Sequence, residues 1–310
     1  MIGCSEGLSL VGKPTIENTD NPTVKSLRFV LNDSAIIQVK LEHLVSGKEI
    51  FTNPTPNKID HEIFLAGLKP NNTYKLEIVG LDNQSLTVID SFKTSPIEEN
   101  IVHIFKRKAE PESFEGYLLT QRRLVRGSIY MVDNDADLVW YQMVAGQPKL
   151  SHWTMDGEIL VLAGDARHNN SAGDRIIAYT IDGRISYQID LKKKNMVAHH
   201  EVIEYEDDIM ALVYDTIPNT VNGIIEKAVS SSVVRLTKAG EIVWKWSTFD
   251  VNDPVGVSLD SMDGDWGHAN ALAIDNDGHI LISYRDWNQI WKINIETGER
   301  IWALGENGDF

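Results

Sequence analysis

The sequence of 310 residues predicts an all-β protein in two parts, a small antiparallel β-sandwich followed by a β-propeller. Two observations carry that expectation. As far as residue 97 the chain is a run of short β-rich segments with turn residues between them. Beyond it, one strand–turn–strand pattern recurs four times and ends each time near an aromatic residue.

In the first part, residues 8–97, the β-rich segments are Leu27–Leu31, Ala35–Leu41, Lys48–Thr52, His61–Leu65, Thr73–Leu81 and Leu86–Thr94. Turn chemistry separates them at Asn32-Asp33-Ser34, Ser46-Gly47-Lys48, Lys69-Pro70-Asn71-Asn72 and Asp82-Asn83-Gln84. Gly67-Leu68-Lys69-Pro70-Asn71-Asn72-Thr73-Tyr74 resembles the corner that precedes a late strand in fibronectin type III domains. An Ig-like module of that kind positions or dimerises a neighbour, so a homodimer is compatible with it, and no catalytic constellation is visible in it.

The boundary falls at Ser95-Pro96-Ile97-Glu98-Glu99-Asn100, and residues 98–310 form the second part. Its four repeats are Ile129–Trp140, Ile176–Tyr187, Val233–Trp244 and Ile290–Trp302, with aromatic ends 47, 57 and 58 residues apart. That spacing suits a four-stranded blade plus a variable loop. A further strand precedes each of the last three repeats: Glu158–Ala163, Ile209–Tyr214 and His279–Ser283. Four blades are expected. The alternative is a plain sandwich with chance aromatic spacing.

A net charge of −16, from 29 basic and 45 acidic residues, disfavours nucleic acid or an anionic membrane surface as main partner. No run of about 18 apolar residues is present to span a bilayer. The single cysteine, Cys4, excludes a disulfide framework. Met1-Ile2-Gly3-Cys4 resembles the end of a bacterial lipobox, which implies lipidation at Cys4 and a periplasmic or cell-surface lipoprotein. The bland reading is a lone cysteine at a frayed terminus.

Candidate chemistry gathers late in the chain. Aligning Val197–Leu212 with Gly267–Ile282 sets His199 on His268, one repeat apart, so both imidazoles should converge on one cavity. Arg285 ends the apolar strand Ile280–Tyr284, where a planar, permanently charged fork suits a tetrahedral oxyanion. Its bland partner is Asp286. A neutral imidazole is a nucleophile and proton shuttle near neutral pH. Two histidines and an arginine are therefore coherent for transfer of an oxyanion group. Acidic turns at Asp250–Asp253, Asp260–Asp265 and Asp275–Asp277 could ligate Ca²⁺, but none has full loop spacing, and no cofactor is called for. His43, His61, His103, His152 and His279 read as structural or surface residues, and Lys192–Lys194 and Arg122-Arg123 as solvated charge. His168, beside Arg167, is a weaker site candidate.

These residues carry a family resemblance. Asp265-Trp-Gly-His-Ala-Asn270, Ile280–Arg285, Thr297-Gly298, Ile301–Gly305, Gly308-Asp309-Phe310, His199-His200-Glu201 and Gly116–Leu119 resemble the bacterial arylsulfate sulfotransferases over about residues 100–310. The resemblance implies a six-bladed propeller behind a β-sandwich, outside the cytoplasm. It also implies sulfuryl transfer from an aryl sulfate to a phenol through a sulfohistidine, without a phosphoadenosine donor. Carried over by motif, His268 and Arg285 bind and polarise the sulfuryl oxygens, His199 or His200 assists, and Asn270 contacts substrate. The family's nucleophilic histidine lies in a Gln-His motif beyond the Gly-Asp-Phe segment, and no such motif occurs up to Phe310. These 310 residues are thus expected to hold four of the six blades and to lack turnover alone. The competing function is a non-catalytic surface propeller that binds an anionic or phenolic ligand.

Overall fold

The computed structural model describes residues 7–80, 85–97, 116–124, 126–165, 171–254, 257 and 265–310. The fold is all-β, and the helical elements among the described residues are short 3-10 turns such as Leu191–Lys194 and Thr248–Asp250. The chain divides into two compact units. One comprises the residues up to Thr120 with Ser128–Met143 and Thr180–Arg184; the other comprises Gln121–Gly127, Val144–Tyr179 and Ile185–Phe310.

The first unit begins with seven strands: β1 (Thr15–Asn18), β2 (Lys25–Ala35), β3 (Ile37–His43), β4 (Glu49–Phe51), β5 (Lys58–Leu65), β6 (Thr73–Gly80) and β7 (Ser85–Lys93). They form two antiparallel sheets, ordered β1-β2-β5 and β4-β3-β6-β7. Alternate residues of both sheets bury into one core that includes Leu27, Phe29, Val39, Leu41, Ile63, Leu65, Leu76 and Ile78. At roughly 1.5–3 kcal/mol for each large apolar side chain buried, this shared core is the main force holding the sheets. The turn expected at Asn32-Asp33-Ser34 is instead the irregular end of β2. Residues 9–11 pair with it there: Asn32 N–H donates to the Ser9 carbonyl, and Val11 N–H to that of Val30. At the corner read from Gly67–Tyr74, the Lys69 N–H donates to the Tyr74 hydroxyl at 2.8 Å.

Strands β8 (Leu118–Arg122), β9 (Ser128–Val132) and β10 (Leu138–Met143) form a three-stranded sheet in the order β10-β9-β8. In the second unit, β11 (Gln147–Trp153), β12 (Ile159–Gly164), β14 (Arg175–Tyr179) and β15 (Ile185–Asp190) form an antiparallel sheet in that order. The short β13 (Ala172–Gly173) joins the next sheet instead, with β16 (Ala198–Tyr205), β17 (Asp208–Val221), β18 (Ile224–Leu236) and β19 (Ile242–Ser247). A last sheet holds β20 (Ala269–Ile274), β21 (Ile280–Tyr284), β22 (Gln289–Ile293) and β23 (Arg300–Gly305).

The four recurring sequence segments are the strand pairs β9–β10, β14–β15, β18–β19 and β22–β23, and each aromatic end lies on the outermost strand of its sheet. In all four the ladder shifts register immediately before that aromatic, leaving Val139, Ser186, Val243 and Ile301 as extra residues. Such bulges sharpen the local twist. The sheet containing β17 is covered on both faces. Ile209, Ala211 and Val213 pack with Leu160, Ile176 and Val202, while Met210 and Leu212 pack with Trp246, Ile282 and Trp291. The period of two along a strand makes one strand serve two cores.

Candidate active site

The site residues lie where β16 and β20 begin, both in the second unit. In β16 the ladder passes from Ala198 opposite Val213 to Val202 opposite Ala211, so His199, His200 and Glu201 face the single residue Leu212. His200 takes φ +57°, a left-handed conformation that histidine tolerates better than most residues, and its N–H donates to the Ser171 carbonyl at 2.8 Å. His268, just before β20, has φ +50°. Its carbonyl accepts the Arg285 N–H at 3.1 Å, and the Gly267 carbonyl accepts the Asp286 N–H at 3.1 Å. The pairing of β20 with β21 therefore brings His268 and Arg285 together, as the strand-end position of Arg285 leads one to expect.

The three imidazoles form a row. His199 is only 2% exposed. It stacks on Tyr214 at 4.2 Å, meets His200 Nδ1-to-Nδ1 at 3.0 Å, and has Ser231 Oγ 3.3 Å from its Nε2. The His200 ring meets the His268 ring edge-on at 5.2 Å. His268 Nδ1 lies 2.5 Å from Asp265 Oδ2. Burial first, and then the neighbouring imidazoles, push the His199 pKa down to about 3, so it is neutral at physiological pH. Burial, then His268 and the Arg285 guanidinium, also lower that of His200.

Arg285 donates from Nε to Asp286 Oδ1 at 2.7 Å, and its side chain remains 58% exposed. That hydrogen bond raises its pKa and leaves its two terminal nitrogens for an anion. An aromatic stack supports the loop. Trp287 lies 4.6 Å from Tyr284, 4.9 Å from Trp291 and 5.3 Å from Trp266, centroid to centroid. Gly267, at φ +90°, fits between them because a Cβ there would fall 2.8 Å from Trp287. The cluster thus offers two imidazoles held neutral, His199 and His200, and a third, His268, beside one permanent cation, which suits proton exchange next to a bound oxyanion.

His199, His200, His268 and Arg285, singled out from sequence, come together. Asn270 is half-buried at the irregularity of β20 between Ala269 and Ala271. Cys4, His103 and His168 lie outside the described residues. His43 and His61 are buried in the first unit, as a structural reading requires. His152 bonds Glu201 at 2.8 Å. Sequence reasoning missed the bond of Asp265 to His268 and the seating of His199 by Ser231 and Tyr214. A spacing of three residues between Asp265 and His268 was the available signal for the first. The others come from distant strands and left none.

Asp265, His268 and Asp286 have ligand atoms within 4.8 Å of one another, close enough for a cation. His268 Nδ1 is already taken by Asp265 and Asp286 by Arg285, whose charge opposes a metal there. Among the acidic turns, Asp275 and Asp277 both hold Lys292 Nζ at 2.6 Å. Asp250 accepts the Ser247 N–H in a capping box, and residues 260–264 lie outside the described residues. A trio not foreseen from sequence, Asp133, Asp135 and Asp137, surrounds Lys69 Nζ at 3.5, 3.6 and 2.5 Å.

Among solved structures, a Bacteroides caccae protein of unknown function is 12% identical with a TM-score of 0.37, covering 88% of this chain and 94% of that one. A streptogramin B lyase is 16% identical with a TM-score of 0.38, covering 94% and 75%. Hydrazine synthase of Kuenenia stuttgartiensis is 13% identical with a TM-score of 0.41, covering 96% and 80%. No curated protein matches the chain. The pattern of one family, arylsulfotransferase (ASST), matches residues 103–310, more than half of the sequence and the whole of the His199, His268 and Arg285 cluster. The chain belongs to the arylsulfotransferase family.

Proposed function

We propose that the protein transfers a sulfuryl group from an aryl sulfate ester to a phenol at the cluster of His199, His200, His268 and Arg285. The observation that carries this reading is one exposed guanidinium beside three imidazoles, inside the stretch matched by the family. Arg285 takes the sulfuryl oxygens through its two terminal nitrogens, and the charge it supplies matters most as the sulfur–oxygen bond loosens. A histidine lone pair attacks sulfur, the bond from sulfur to the aryl oxygen breaks, and the aryloxide leaves with a proton. The acceptor phenol then loses its proton and attacks the same sulfur, releasing the imidazole as the nitrogen–sulfur bond breaks. On this reading the histidine that carries the sulfuryl group is none of His199, His200 and His268. His268 exchanges protons with the phenolic oxygens, His200 and Asn270 line the site, and His199 supports His200 from its buried side. The lipobox-like Met1–Cys4 segment supports a place outside the cytoplasm, tethered by lipid.

Calorimetric binding of p-nitrophenyl sulfate to the 310-residue chain tests the site. Arg285→Ala should weaken binding about 10- to 100-fold, the loss of a charge-assisted pair of hydrogen bonds, and Arg285→Lys should recover little. Binding indifferent to Arg285→Ala refutes the oxyanion site. Steady phenol-stimulated turnover by this chain would instead put the nucleophile among His199, His200 and His268.

A further inference from the structure

We propose that Asp265 is the positioning residue of His268, fixing its tautomer so that Nδ1 carries the proton and Nε2 presents the lone pair. An ionised carboxylate only accepts, so a 2.5 Å contact from Asp265 Oδ2 to His268 Nδ1 requires the proton on Nδ1. Among the described residues Nε2 has no hydrogen-bond partner, and the His268 side chain is 19% exposed, so that nitrogen is the one open to a substrate.

The carboxylate is itself held firmly. Asp265 forms a parallel bridge with Val229 of β18, and the Trp266 N–H donates to the Val229 carbonyl at 2.6 Å. Ser230 Oγ donates to the Trp266 carbonyl at 2.6 Å, and the Trp266 indole donates to Asn252 at 2.9 Å. Three hydrogen bonds to two other segments, none of them to His268, fix where the Asp265 side chain starts. Outer partners of this kind set both the tautomer and the ring angle of a histidine.

The consequence follows from donor counting. With Nδ1–H committed to Asp265, neutral His268 has no proton to give a sulfuryl oxygen, but it can take one from a phenol at Nε2. The imidazolium so formed is stabilised by the same carboxylate and gives that proton to the aryloxide that departs from the next donor ester. The identity of those oxygens rests on the proposed sulfuryl transfer; the tautomer does not.

The test reads the tautomer directly, by long-range ¹H–¹⁵N NMR of the 310-residue chain labelled at histidine, with the His268 signals identified by their loss in His268→Gln. Near pH 8 the wild-type protein should show His268 protonated at Nδ1, and Asp265→Ala should shift the population toward Nε2–H while the His199 signals stay in place. Wild-type His268 protonated at Nε2, or an Nδ1–H population unchanged by Asp265→Ala, overturns the proposal. If Asp265→Ala fails to fold, the wild-type spectrum decides alone. Absence of aryl sulfate binding with the Nδ1–H tautomer present would refute the sulfuryl-transfer reading and leave the positioning role standing.

Discussion

His199 is buried, and burial first, then the neighbouring His200 and His268 imidazoles, push its pKa down to about 3. An unfolded histidine protonates near 6.5. Between those values the unfolded chain binds a proton that the folded chain refuses, so stability is full above about 6.5 and falls as pH drops towards 3. At about 1.4 kcal/mol per pH unit the whole window is worth at most about 5 kcal/mol, and a drop to pH 5 costs about 2 kcal/mol. His200, also lowered, acts in the same direction. The assay is urea denaturation of wild type and His199→Asn at pH 7.5 and pH 5, followed by fluorescence. The variant will be less stable at both pH values because it loses the stacking on Tyr214, so the quantity to compare is the change between them. Wild type should lose about 2 kcal/mol more than the variant over that interval. Equal losses would mean that His199 protonates in the folded protein as readily as in the unfolded one, and the argument from burial would fail.

Two further perturbations probe the scaffold. Gly267→Ala puts a Cβ at φ +90° and 2.8 Å from the Trp287 ring, so the thermal midpoint should fall by the equivalent of a few kcal/mol and p-nitrophenyl sulfate binding should be lost with it. An unchanged midpoint would show that the loop does not need glycine. Lys69→Ala leaves Asp133, Asp135 and Asp137 facing one another without their ammonium, and the loss should be about 3 kcal/mol because Lys69 and Asp133 are largely buried. Millimolar Ca²⁺ should restore part of the variant's stability and leave wild type unmoved; a variant indifferent to Ca²⁺ would rule out that trio as a latent cation site.

Strand positions and the placement of Arg285 at a strand end were legible in the sequence because they rest on local physics. Turn residues such as Asn71 and Gly298 do take positive φ. The aromatic repeat also landed on the outermost strand of each of the four sheets that carry it. The resemblance carried by Asp265–Asn270 and Ile280–Arg285 reached the right family before any contact was known. Long-range pairing decided the rest. Asn32-Asp33-Ser34 reads as a turn, yet stays within β2, where residues 9–11 pair with Val30, Leu31 and Asn32 and the Ser9 carbonyl accepts the Asn32 N–H. Trp140 is fully buried at the recurring aromatic position, whereas in the β18–β19 repeat Trp246, two residues beyond Trp244, is the buried one and donates to Gly298. The sequence also left open which of His199 and His200 faces the site. The register shift in β16 turns His199 against Tyr214 and Ser231 and His200 towards His268, a pairing no sequence spacing could give. Residue type sets what a histidine is able to do, but its tautomer and charge are set by neighbours that only the folded sheets bring within hydrogen-bond reach.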